Sequence, residues 1–260
     1  MNNNVNAVIT IAFRDITKLL RDKTRILANF IFPAIFIGVL GYSMESNLSE
    51  SLGYNFLTFV FTGVLGQTLF QSTASGLISL VEDRQNDFAQ ELFVSPISRY
   101  SIVLGKIIGE TMVAFVQVFG VIIFGYIIGV ELDFQSILRL APFAVMGALL
   151  GGAFGLVVMA NLSEQKSANQ IFPFLLFPQF FLAGVFNPIM ELPPVLLILS
   201  RMAPLTYVVD LIRSIYYWGS PDYSEVVIFG PVIDSVVVLS LFVIFLSAGT
   251  AVFVKNERNK

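Results

Sequence analysis

Apolar runs of about twenty residues recur along this chain, and nothing constrains its fold more. Each is long enough to cross about 30 Å of hydrocarbon as a helix. In that medium every backbone N–H and C=O must find a partner inside the protein, so a spanning segment is a helix or part of a closed barrel. Six such segments can be drawn, near residues 26–44, 54–81, 101–130, 138–160, 168–186 and 227–254. The expectation is an all-α integral membrane protein with a single domain over residues 1–260. Composition agrees: 56% of residues are hydrophobic and 13% charged, against about 25% charged in a soluble domain. The first long run begins near Ile26, too far from the start for a cleavable secretory signal, so none is expected.

An even number of spans puts both termini on one side, and basic residues choose the side. Twelve of the fifteen Lys and Arg fall with the termini; only Arg139, Arg201 and Arg213 lie opposite. Both termini are therefore expected in the cytoplasm. Tyr42, Tyr54, Tyr126, Tyr207, Tyr216, Tyr217, Tyr223 and Trp218 fall at the proposed outer ends, where amphipathic rings suit the headgroup level. Ahead of the first span, Val5, Val8, Ile9, Ala12, Phe13, Ile16, Leu19 and Leu20 recur at helical spacing, with Arg14, Lys18, Arg21 and Arg25 on the other side. That pattern predicts an interfacial helix over residues 1–25, lying on the inner leaflet or packed on another subunit.

Several chemistries are excluded early. The chain has no Cys and no His, which removes thiolate metal sites, the commonest metal ligand and the usual general base. No metal site, catalytic residue or nucleic-acid partner is expected. Gly105-Lys106 is followed by Ile107, without the upstream glycine or the Ser/Thr of a phosphate-binding loop, so the chain should not hydrolyse ATP by itself. The serines stand mostly in loops and span ends. Intramembrane charge is sparse: Lys106 and Glu110 share a helix face near the inner end of the third span, Gln117 lies mid-span, and Asp234 lies near the outer end of the last. The Lys106–Glu110 pair reads as an ion site or as a snorkelling pair at the interface. An ion-driven pump normally keeps a coupling carboxylate in the bilayer; Glu110 and Asp234 are the only candidates, and their scarcity points to energy supplied from outside. Gly147, Gly151 and Gly155, four apart, mark close helix packing, within one chain or between two copies. Pro173 and Pro178 in the fifth span predict kinks.

Two stretches carry the functional signal. In residues 82–106, Asp87, Phe88, Glu91 and Leu92 fall at helical spacing on the inner side, ended by Pro96, so a short exposed helix offers acids and an apolar plug to a partner's groove. In residues 182–217 the prolines at 188, 193, 194 and 204 cut the apolar chain into pieces too short to cross. Two short helices near 195–202 and 205–217, dipping from the outer face, fit this pattern and place Arg201, Asp210 and Arg213 near the exit of any pathway.

These residues resemble the ABC-2 family of ABC exporter permeases, most closely its daunorubicin-resistance-like branch. The resemblance covers essentially the whole chain and rests on Glu82, Arg84, Leu92, Pro96, Arg99, Gly105 and Lys106, then on Pro204, Leu205, Thr206, Tyr207 and Arg213. It implies a six-span permease working as a dimer in the inner membrane of a prokaryote, with two cytoplasmic ATPase subunits that hold the ATP and Mg. It implies a coupling helix over 84–94 seated in the ATPase, and outer re-entrant helices between spans five and six. It implies export but no particular substrate, since relatives export drugs, lipids, glycolipids and polysaccharides; the 26 Phe of the chain favour an amphipathic, drug-like or lipid-linked cargo, with a cell-surface polysaccharide or glycolipid as the alternative. The rival classes are an ion-driven secondary transporter and an intramembrane enzyme, the latter supported by nothing better than scattered serines.

Overall fold

The computed structural model describes residues 2–41, 53–85, 97–162 and 164–258, and among them every regular element is helical. The chain opens with α1 (Asn2–Arg21) and α2 (Lys23–Ile35), the latter running into a π-helical stretch (Phe36–Gly41). Pro33 lies inside α2. Its missing N–H removes one ladder bond, and a π stretch is one way a helix absorbs such a gap. Next come α3 (Phe56–Gly76) and α4 (Ile78–Gln85), separated by a break at Leu77. The expected second span, 54–81, is thus two helices.

Ser98 caps α5 (Arg99–Ile127) by accepting from Ser101 N at 3.1 Å, and Asp133 caps α6 (Phe134–Ala160) by accepting from Ser136 N at 2.8 Å. Both are the short polar side chains that satisfy orphan N–H groups. Helix α7 (Gln165–Leu182) runs on through Pro173 and Pro178 without a break in assignment.

After a short 3₁₀ turn (Ile189–Glu191) come α8 (Pro194–Met202) and α9 (Pro204–Tyr216), bent by 84°. Proline sets the corner. Ala203 precedes Pro204 and takes ψ 121°, outside the helical region that a following proline disfavours. The orphan carbonyls at the end of α8 are then capped from α9: Thr206 Oγ1 donates to Ser200 O at 2.6 Å and Tyr207 Oη to Arg201 O at 2.7 Å. A single turn, α10 (Tyr223–Val226), leads to α11 (Pro231–Arg258).

Helix α3 is the axis of the fold. Every residue from Phe59 to Phe70 is buried, and α5, α6 and α9 pack around it. Gly151 and Gly155 of α6 meet its backbone: a Cβ on either would lie 2.3 Å from Phe70 O or 2.4 Å from Ala74 O. The four-residue glycine spacing therefore serves packing within the chain. Gly105 and Gly109 do the same for α5 against α1.

Among the described residues, Arg99–Ile127, Phe134–Ala160 and Tyr223–Asn256 are long and apolar enough to cross a membrane, and the α8–α9 pair raises the number to four if it counts as one broken span. The other expected spans fall short for identifiable reasons. The first is divided at its π stretch and its residues 42–44 lie outside the described residues; α3, with 21 residues, and α7, with 18, are long enough to cross but are less apolar, α3 carrying Gln67, Gln71 and Ser72 and α7 carrying Gln165, Lys166, Asn169 and Gln170.

Candidate coupling face and transport cleft

Near the N-terminal end of α5 a buried ionic cluster joins three helices. Lys106, only 1% exposed, donates to Asp15 Oδ1 of α1 at 2.8 Å. It lies 3.8 Å from Asp83 of α4 and 3.8 Å from Glu110 one turn up its own helix. Arg14 of α1 hydrogen-bonds Asp83 and reaches Asp15 at 3.4 Å, and Lys18 approaches Asp83 at 3.8 Å. Three cations face three carboxylates. Burial alone would lower the Arg14 pKa, but the hydrogen bond and charge of Asp83, with the charge of Asp15, carry it above the ordinary arginine value.

Of the two readings open for Lys106, snorkelling is overturned: the ammonium is sealed in, and its short contact is to Asp15 rather than Glu110. The sequence reading missed Asp15 and Asp83. Asp15 had a signal, an acid within the apolar and basic pattern of α1. Asp83, beside the recognised Glu82 and Arg84, had none that separated it from its neighbours.

The apolar pattern of α1 is also divided. Ala7, Ile11, Ala12 and Leu19 bury against the fold, while Val5, Ile9, Phe13 and Leu20 form an exposed apolar stripe. Lys18 and Arg21 are exposed. The expected coupling helix lies mostly outside the described residues: Asp87, Phe88, Glu91, Leu92 and Pro96 fall within 86–96, and Arg84 is described only in its backbone. Arg99 opens α5, so the cluster grips both helices that flank this segment, α4 before it and α5 after it.

Above the cluster runs a polar cleft of about 360 Å³. Helices α3 and α4 contribute Gln67, Thr68, Gln71, Ser72, Ser75, Ser79 and Glu82; α5 adds Gln117; α7 adds Gln165 and Asn169. Gln67, Gln71 and Ser75, four apart, make a stripe along one face of α3, and Ser79 continues the polar lining from α4 across the break at Leu77. Thr68 and Ser75 spend their hydroxyl protons on carbonyls four residues back, Val64 O at 2.7 Å and Gln71 O at 2.6 Å, leaving acceptor lone pairs. Gln67 Nε2 donates to Gln71 Oε1 at 3.3 Å, while Gln67 Oε1 and Ser72 Oγ are buried and have no partner among the described residues. Cluster and cleft touch: Glu110 packs on Gly76 and lies 3.5 Å from Ser79 Oγ, and both Gly76 and Ser79 line the cleft.

At the opposite end, the sequence-predicted residues divide. Arg213 is 1% exposed and donates to Phe59 O at 3.1 Å and Gly184 O at 3.0 Å, its guanidinium 3.7 Å from the Phe59 ring centre. Asp210, fully buried, accepts from Ile228 N and Phe229 N at 2.9 and 2.8 Å. These two residues fasten the α8–α9 corner to α3, to the end of α7 and to the turn before α11. Pro204 builds the corner and Tyr207 caps it. Arg201 alone is exposed. Asp234, expected near an outer end, is fully buried.

A helical fold with long apolar helices, a buried ionic joint on one side and a polar cleft behind it defines a membrane-spanning transport protein. The chain belongs to the ABC-2 type transporter family, whose pattern it matches over residues 6–217, from α1 through the α8–α9 corner. It is 25% identical over 212 residues to a protein named as transport permease ycf38 in Cyanophora paradoxa, covering 80% of this chain and 73% of that one. It is 29% identical over 142 residues to one named as multidrug ABC transporter permease YbhR in Escherichia coli, covering 54% of this chain and 38% of that one. A third, polysialic acid transport protein KpsM of Escherichia coli, is 21% identical over 180 residues, 69% of this chain and 67% of that one.

Proposed function

We propose that this chain is the membrane-spanning permease subunit of an ATP-driven exporter of the daunorubicin-resistance-like branch. It works as a homodimer with two cytoplasmic ATPase subunits, which bind the ATP and Mg. Six helices cross the inner membrane of a prokaryote: α2 with its π stretch, α3, α5, α6, α7 and α11. The α8–α9 pair enters from the outer face and turns back. Both termini are cytoplasmic, as the basic residues favour. Helix α1 lies along the inner leaflet, with Val5, Ile9, Phe13 and Leu20 toward lipid and Arg14, Lys18 and Arg21 on its basic side; Arg25, expected on the same helix, falls in α2. The segment 84–94 seats in the ATPase, with Asp87 and Glu91 as its acids and Phe88 and Leu92 as its plug.

The observation that carries this reading is the buried Lys106–Asp15–Asp83 cluster. It ties both flanks of the docking segment to α1, so a push on that segment moves α1, α4 and α5 together. Through Glu110 and Ser79 the movement reaches the wall of the cleft. Charge reversal at Asp87 and Glu91 together should abolish stimulation of the ATPase by the permease while leaving the permease folded by size-exclusion profile. Unchanged stimulation would remove the docking assignment.

The cargo on this reading is amphipathic or lipid-linked. Export of a cell-surface glycan or glycolipid is a second reading, favoured by the amide-and-hydroxyl lining of the cleft. A polyacid of the kind named for KpsM would meet no Lys or Arg among the described residues of that lining.

A further inference from the structure

The cleft along α3 is chemically narrow. Amide groups face it from three helices, with Gln67 and Gln71 on α3, Gln117 on α5 and Asn169 on α7. Each amide both donates and accepts. Among the described residues no Lys or Arg lines it, and Glu82 is its single charge, at the cytoplasmic mouth. Among the described residues no aromatic side chain lines it either. Two of its groups are unspent: Gln67 Oε1 and Ser72 Oγ are buried, unpartnered among the described residues, and belong to side chains only 2% and 7% exposed. A buried polar atom without a partner is costly, and more so in a membrane than at a wet surface. Helix packing does not need these groups, because α3 already packs on α6 through glycine contacts on its backbone. Their position along a cleft wall points to a ligand that supplies the missing hydrogen bonds.

We propose that the cleft binds an uncharged, hydroxyl-rich head group, which donates to Gln67 Oε1 and exchanges hydrogen bonds with Ser72, Gln71, Gln117 and Asn169. This deepens the permease reading and rests on it for the claim that the bound molecule is cargo. Binding itself does not depend on that reading. Hydroxyls match the lining because each can donate and accept in turn, as the amides do. An anionic head would enter past Glu82 and find no counter-charge among the described lining residues, so it would lose its hydration without compensation there. A purely apolar molecule would leave Gln67 and Ser72 unsatisfied.

The test is native mass spectrometry of the full chain, purified and offered equal amounts of monoglucosyl diacylglycerol and phosphatidylglycerol, with free glucose as a third arm. Wild type should retain the glucosyl lipid over phosphatidylglycerol by about tenfold. Gln67→Leu with Ser72→Ala should erase that preference. Gln71→Lys, which places a cation in the cleft without removing the unspent groups, should shift retention toward phosphatidylglycerol. Phe119→Leu, on the lipid-exposed face of α5 and outside the cleft, should change nothing. Retention of glucose as strong as that of the glucosyl lipid supports the proposal and assigns the head to a soluble sugar; retention of the lipid alone supports it and assigns the head to a glycolipid. Equal or greater retention of phosphatidylglycerol by wild type overturns it, and so does a preference that survives both cleft variants. A chain that keeps the preference yet moves nothing when its ATPase is supplied would overturn the permease reading and leave the binding proposal standing.

Discussion

Lys106 shows how one side chain can make a joint. An ammonium removed from water needs compensation from all sides, and it finds three carboxylates from three helices, the nearest at 2.8 Å. Removing one partner from such a buried set costs about 3–5 kcal/mol, because the remaining charges lose their match. Lys106→Met should therefore lower thermal stability in detergent strongly and also uncouple ATP hydrolysis from transport. The exchange Asp15→Lys with Lys106→Asp should recover part of both; recovery of neither would mean that the pair does not act as a unit. Arg213 makes a different demand. Sequence placed it beside Arg201 near an exit, but it caps the backbone of α3 and of the turn after α7, whereas Arg201 is exposed. Arg213→Ala should reduce folded yield and transport in parallel, since two buried carbonyls lose donors worth about 1.5–3 kcal/mol each. Arg201→Ala should leave yield unchanged. Folded yield after both substitutions, by fluorescence-detected size exclusion, separates the two roles.

At the scale of elements, close backbone approach holds the spans together. Gly155 of α6 faces Ala74 O of α3, and no side chain fits between them. Gly155→Val should force the helices apart and cost about 1–3 kcal/mol, seen as a lower melting temperature with helical content retained. A melting temperature equal to wild type would show that α3 and α6 do not pack this way. Much of this level was legible in sequence. Proline spacing foretold α8 and α9 to within a residue or two, because a proline ends one helix and opens the next wherever it falls. The Pro-Leu-Thr-Tyr run has its own explanation in the corner it builds and caps. The polar stripe of α3 went unread although its signal was present. Gln67, Gln71 and Ser75 stand four apart, but inside an apolar run the length of the run signals a span more strongly than the polar face does. The gathering of Asp15, Asp83 and Lys106 was not legible, since residues 91 apart in sequence meet only through the packing of α1 on α5.

For the whole molecule, the parts form one line of contacts. Helices α4 and α5 flank the proposed docking segment, the ionic cluster binds them to α1, Glu110 and Ser79 lead from the cluster to the cleft, and the α8–α9 corner is fastened to the far end of α3. Nothing along that line supplies energy, and the sequence contains no phosphate-binding loop. In the proposed function the chain is a conduit driven from outside. The most direct test is transport by vesicles that contain this chain with or without its ATPase, scored for accumulation against a gradient. Accumulation is predicted only when the ATPase, ATP and Mg are all present. Accumulation by this chain alone, driven by an ion gradient or by nothing added, would contradict it.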